Sequence, residues 1–359
     1  CLQLMHRLKL HRTPDARQFV TEIGKQIAYD ISKWGVPAFS EIAICFGKLG
    51  IKHDQFFRSL VDNVKRQPFI VLPSLYKVPG AMASIGFKDR TFVDKIIKTC
   101  CESMCRKDPM IVSTVLSAVA RMEIKNETFL EEIQKFLQNH WQKFEAPALC
   151  MALWGLAEFK IQLDPTFFHR MLQRLEQDAK CTARDLCYLV CAGTHFDEKV
   201  TNYARVEMQT FHQKLTSQLD EPLDLVDLLH AAIALAGSPT HAESFLKVLR
   251  RIVAECGDQI DVPSAYRLCR AVSIAHISPD QRIELSRGIT HKLVVSGMFS
   301  HLIELFNKLK NDDFAVSPLW APLGEAVCEK WLGRGAPRHE LLAVLELFTR
   351  APRNGTPSL

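Results

Sequence analysis

Four segments of the sequence share one pattern. GKLGIKHDQFF, ASIGFKDRTFV, ARMEIKNETFL and AEFKIQLDPTFF each run from a small or flexible residue through Ile or Phe and a polar stretch, and close around an aromatic. Those aromatics, Phe56, Phe92, Phe129 and Phe167, stand 36, 37 and 38 residues apart. A spacing held that nearly constant is a structural period. A unit of this length cannot cover its own apolar surface, so copies must stack on one another. The series continues more faintly at Phe245 and Ile283, with THFDEKVTNYARVEM as a degenerate copy around Phe196 and Tyr203.

Each unit reads as two helices. The first is apolar nearly all round, as in residues 110–122, 146–159 and 225–236, and must be covered on most sides. The second is amphipathic. In NETFLEEIQKFLQNHW, Phe129, Leu130, Ile133, Phe136, Leu137 and His140 recur at three-to-four spacing, and Glu131, Glu132, Gln134, Lys135 and Gln138 take the opposite side. Asn126, Asp164 and Ser278-Pro279 stand where helix starts want a polar cap or a proline in the first turn. Pro37, Pro109, Pro147, Pro222 and Pro263 recur at or just before the first helices.

No strand-like alternation persists. The expected fold is all-α, an α-solenoid of helix-turn-helix repeats with about seven or eight pairs and a period of about 37 residues. The expected organisation is an N-terminal arm and entry helix over 1–30, the repeat array over 31–333, and a C-terminal helix and frayed tail over 334–359. The arm carries Arg7, Lys9 and Arg12 with no acid before Asp15, so it reads either as the end of an organelle-targeting segment or as a solvated arm.

Composition narrows the functional classes. At 47% hydrophobic and 24% charged residues, the 359-residue chain has ample material for a core. No apolar run reaches the roughly 18 residues that span a bilayer, so no membrane insertion is expected. The net charge of +5 permits an anionic partner without requiring one. Twelve scattered cysteines in so long a chain read as reduced, buried thiols. Two Asn-x-Thr matches, at Asn126 and Asn354, read as chance.

At LCMALWGLAEFKI (149–161) and SEIAICFGKLGIKHDQFF (40–57) the repeats resemble octotricopeptide-type repeats, and the related heptatricopeptide repeats of FAST-kinase-like and RAP-domain proteins. The resemblance covers four copies in the first half, loses the consensus from Ala179 onward, and includes no recognisable RAP domain. It implies a mitochondrial protein that binds RNA or supports RNA editing, RNA processing or mitoribosome assembly. Helix pairs of this length also occur in HEAT and armadillo scaffolds, whose partners are proteins.

Catalytic signatures are missing. Neither G-x-x-x-x-G-K-[ST] nor G-x-G-x-x-G occurs, and no kinase motif set accompanies the FAST-kinase-like resemblance, so neither enzyme activity nor a cofactor or small-molecule substrate is expected. Cys187, Cys191 and His195 invite a metal site. On one straight helix, however, the outer two lie about 12 Å apart, too far for ligands that sit roughly 2.0–2.3 Å from zinc. Buried thiols account for them better, and likewise for Cys100, Cys101 and Cys105.

The stronger signal is cationic. Lys65, Arg66, Lys98, Lys135, Lys143, Arg170, Arg174, Lys214, Arg250 and Arg251 recur late in successive second helices, where stacking would align them as a stripe matched to RNA phosphates. Cations at helix C-termini are also favoured by the macrodipole alone. Arg267 and Arg270 lie on a first helix and form a second candidate contact. Trp34, Trp141, Trp154 and Trp331 read as packing anchors, leaving Trp320, in a Pro-bounded loop, placed to touch something else.

Overall fold

The periodic aromatic is the third residue of a helix. The computed structural model describes residues 14–289 apart from 30–34, 50, 68–70, 103, 105–107, 179–180, 257–259, 261, 283 and 286–287. Ile283, Trp34, Trp320, Trp331, Cys105, most of the N-terminal arm and the C-terminal helix and tail lie outside these residues. Sixteen α-helices and no strand occur among the described residues, which are therefore all-α as expected. The chain divides into two compact units. One contains residues up to Asp185 with His195–Glu207, and the other contains Leu186–Thr194 with residues from Met208 onward.

In the first unit the helices are α1 (Pro14–Tyr29), α2 (Val36–Leu49), α3 (Asp54–Arg66), α4 (Leu72–Leu75), α5 (Val78–Ser84), α6 (Arg90–Cys101), α7 (Pro109–Arg121), α8 (Glu127–His140), α9 (Ala146–Glu158), α10 (Pro165–Gln177) and α12 (Glu198–Tyr203). Helix α11 (Ala183–His195) straddles the division, as does α13 (Arg205–Ser217). The second unit continues with α14 (Leu225–Ala236), α15 (Ala242–Cys256) and α16 (Val262–Ile274). First helices pack in sequence order, α2 on α5, α5 on α7 and α7 on α9, and in the second unit α14 on α16. Second helices do the same, α3 on α6 and α6 on α8, and α1 packs on α3 as a second helix would. The solenoid expectation is met by this order of packing.

The turn within each pair is built from two devices. The first helix closes through a six-to-one hydrogen bond, from Ile51 N to Phe46 O (3.1 Å), Phe87 N to Met82 O (2.9 Å), Ile124 N to Val119 O (3.1 Å) and Ile161 N to Leu156 O (3.0 Å). The residue before each of the last three donors is left-handed: Gly86 (φ 71°), Glu123 (φ 58°) and Lys160 (φ 57°). This is the Schellman closure, in which a left-handed residue lets the chain reverse over orphan carbonyls.

The second device is an N-cap. Side chains of His53, Asp89, Asn126 and Asp164 accept from the N–H of Phe56, Phe92, Phe129 and Phe167 at 3.1, 2.8, 3.1 and 2.9 Å. The aromatic side chains are buried in every copy. In the fourth turn one extra residue separates the left-handed position from its cap, Lys160 to Asp164 against Glu123 to Asn126, and it accounts for the spacing of 38. The Asp164 carboxyl is held below its ordinary range by the Thr166 hydroxyl and then the Phe167 N–H.

His53 adds a link to the preceding element. Its Nδ1 accepts from Phe56 N–H, so Nε2 carries the proton and donates to Thr21 O at 3.2 Å, tying α3 to α1. The second pair departs from the pattern. Pro79 has no N–H to continue a helix from Leu75, and its ring would meet that residue's carbonyl, so the first helix breaks into α4 and α5. The degenerate copy also breaks, at Ala204 between α12 and α13, while Phe196 stays buried against Phe168 at 5.0 Å.

First helices approach closely where glycine stands. A Cβ at Gly155 would lie 2.6 Å from Leu116 Cγ, and one at Gly47 would lie 2.7 Å from Ala81 Cα. Alanine should gain up to about 1 kcal/mol in helix propensity, but overpacking costs about 1–3 kcal/mol and wins. Gly155→Ala is therefore expected to lower the unfolding midpoint, and Gly47→Ala to lower it further because the obstacle there is main chain. Lys160→Gly should act oppositely, raising stability by about 0.5–1 kcal/mol through relief of a left-handed lysine. Denaturant titration of the three variants checks all three signs.

Candidate partner-binding face

The cations of the second helices fall into two groups. In the first, side chains reach back over the C-terminal carbonyls of the preceding second helix. Lys95 Nζ donates to the carbonyls of Val64, Lys65 and Gln67 at 3.0, 3.1 and 2.5 Å. Arg174 donates from Nη1 to Trp141 O (2.6 Å) and from Nη2 to Phe144 O (2.7 Å). Arg251 Nη1 donates to Glu221 O at 3.2 Å and to Leu219 O, while its Nε meets Glu255 at 3.1 Å. These bonds add charged donors to carbonyls at and just beyond helix ends, two of which (Val64 O from Gln67 N–H, Trp141 O from Phe144 N–H) also take a main-chain bond, and they place charge at the negative end of the dipole.

Three of the expected contact residues thus have internal work. Arg174 and Arg251 hold carbonyls, and Lys65 pairs with Asp89, the cap of the next second helix, at 3.0 Å. Lys95, which the pattern of late-helix cations does not include, performs the same task from the middle of α6. A lysine flanked by the buried Ile96-Ile97 pair is the available signal in the sequence, since such a stem must run along a packed surface before its charge finds a partner.

The second group faces solvent. Arg66, Lys98, Lys143, Arg170 and Arg250 are exposed, as is Arg270 on the first helix α16. Lys135 is exposed too, but it bonds Glu132 at 3.1 Å, and that carboxylate raises its ammonium above the ordinary range. Lys214 is half-buried with its Nζ 5.5 Å from the Phe211 ring, and Arg270 lies 5.8 Å from the Tyr266 ring. Arg267 is half-buried.

Between α8 and α10 the cations meet rings. The short turn Trp141–Lys143 ends α8, and the Arg174 guanidinium lies 5.7 Å from the Trp141 centroid while bonding the same residue's carbonyl. Trp141 meets Phe167 edge-on at 6.2 Å and 90°, and Arg170 sits 6.0 Å from the Phe167 ring. The two described tryptophans differ. Trp154 is fully buried and anchors α9, as expected, whereas Trp141 is only half-buried.

Of the cysteine and histidine candidates among the described residues, the cysteines are buried or half-buried and His195 is half-buried. Cys187 and Cys191 are buried on α11, Cys100 is buried on α6, and Cys101 is half-buried with its thiol raised by burial and then by Glu132 and Glu102. Burial raises the Cys269 thiol to about 12. The Cys150 thiol is raised by its contact with Cys181 and by burial. His195 faces Glu158 at 3.9 Å. Among the described residues no three His, Cys, Asp or Glu side chains converge as metal ligands would, and no helix is long and apolar enough to cross a membrane. Asn126, one of the two Asn-x-Thr positions, uses its side-chain oxygen as a helix cap. The chain matches no protein-family model and no curated protein.

The two groups of cations should separate in a stability measurement. Arg174→Ala removes two charge-assisted bonds to main-chain carbonyls and is expected to cost about 1.5–3 kcal/mol. Arg170→Ala, at an exposed position in the same helix, should stay within about 0.5 kcal/mol of the parent. Equal destabilisation by the two would contradict the division.

Proposed function

We propose that the chain is a non-catalytic helical-repeat adaptor that binds RNA along its second helices within a larger ribonucleoprotein. The observation that carries this reading is the recurrence of exposed cations in successive second helices: Arg66 on α3, Lys98 on α6, Lys135 on α8 with Lys143 beyond it, Arg170 on α10 and Arg250 on α15. Helix dipoles explain cations in a last turn. They do not explain Arg170, six residues into α10, or Arg250, nine residues into α15. A mitochondrial setting, and a role in RNA editing, RNA processing or mitoribosome assembly, enter this proposal from the resemblance of the repeats alone.

The second reading is a protein-binding scaffold of the HEAT or armadillo kind. It is favoured by the internal commitments of Lys65, Arg174 and Arg251, which thin the charge available to phosphates. A salt series separates the two. Affinity for single-stranded RNA should fall steeply as salt rises, with a log–log slope that diminishes by about 0.7 for each contacting cation removed in Arg170→Ala and Arg250→Ala. A chain that binds no RNA at low salt would leave the scaffold reading standing.

A further inference from the structure

Trp141 occupies an unusual position for an indole beside a helix end. Its carbonyl receives Arg174 Nη1, and the same guanidinium, anchored at its other nitrogen by Phe144 O, lies 5.7 Å from the ring centroid. Phe167 meets the indole at 90°, which limits rotation of the ring. The guanidinium, held by its two bonds to main-chain carbonyls, and the Phe167 ring thus both pack against the indole. Yet Trp141 keeps part of its surface in water, unlike the fully buried Trp154. Lys143 lies two residues on in sequence and is exposed, and the exposed Arg170 sits 6.0 Å from the Phe167 ring that meets the indole.

A partly exposed indole packed against a guanidinium and a phenyl ring, with cations nearby, suits a ligand that carries a flat π-face next to a negative charge. A single-stranded nucleotide has both, its base free to stack and its phosphate one sugar away. A double helix does not, because its bases are already stacked. A proline-rich peptide could lie on the indole but brings no negative charge for Lys143 and Arg170 to meet.

Resting on the RNA-binding reading above, we propose that the joint between α8 and α10 is a base-stacking site for single-stranded RNA, with Trp141 as the platform, Arg174 as its positioning residue, and Lys143 and Arg170 as phosphate contacts. Stacking is tolerant of base identity, so the site selects single strands over duplexes and does not read sequence.

The test uses the full chain and fluorescently labelled oligouridylate, beside an abasic oligomer of the same length and a duplex. Wild-type protein is expected to favour oligouridylate over both. Trp141→Leu should weaken oligouridylate binding about tenfold with its salt slope unchanged, and leave abasic binding as it was. Trp141→Tyr, which keeps a ring, should recover most of the loss. Circular dichroism establishes that each variant is folded. Should Trp141→Leu unfold, Trp141→Ser or the quenching of tryptophan emission by oligouridylate in wild type against Trp141→Phe separates the same two outcomes. Equal affinity of wild type for oligouridylate and abasic oligomer, or a Trp141→Leu protein that binds oligouridylate as wild type does, would overturn the stacking site while the RNA reading survives on the phosphate contacts. Failure of the wild type to bind any oligomer at low salt would instead remove the RNA reading itself, and the proposal with it.

Discussion

The turn from first to second helix sets everything else. A left-handed residue closes one helix, a polar side chain three or four residues later caps the next, and the aromatic three residues beyond that cap is driven into the core. Each device satisfies main-chain groups that a helix terminus leaves bare, so the turn can be short without burying unpaired polar atoms. A short turn of nearly fixed length puts each aromatic at the same depth in every copy, and that repetition allows one pair to rest on the next.

Close stacking of the apolar first helices follows from this regularity and limits what the sequence can contain. Where two of them approach most closely, only glycine fits, as at Gly47 against Ala81 and Gly155 against Leu116. The propensity penalty of glycine within a helix is smaller than the cost of forcing the helices apart. The same economy of space explains why Trp154, on the well-kept helix α9, is buried completely and has no part in surface chemistry.

The period, the two-helix character of the unbroken units and the caps at Asn126 and Asp164 were legible in the sequence, because each depends on contacts within a few residues. The buried stripe of α8 was legible for the same reason: Phe129, Leu130, Ile133, Phe136 and Leu137 are all buried, and His140 is half-buried with its ring 5.2 Å from Phe136. The division of the cations was not legible. Arg170 and Arg174 are one helical turn apart on α10, yet one is exposed and the other is held by carbonyls of a different repeat. Which of them meets those carbonyls depends on how α10 is rotated against the end of α8, and that angle is a property of the packed pair. Nor was His53 legible as a cap, because histidine is not among the usual capping residues and its second bond, to Thr21, reaches a different helix pair.

Cations in this fold therefore act at two levels that compete for the same residues. An arginine that reaches across a joint stiffens it and neutralises the end of a helix dipole, but its donors are then occupied. An arginine one turn away stays available to a partner and contributes little to stability. The joint between α8 and α10 carries both kinds, and the structural one also packs against an aromatic ring. That combination matters for binding because a ring already packed against its neighbours loses less rotamer freedom when a ligand stacks on it. The residues that make the joint rigid are thus part of what would make its surface a better platform, and removing Arg174 should weaken the fold and the platform together, while removing Arg170 should touch only the charge beside it.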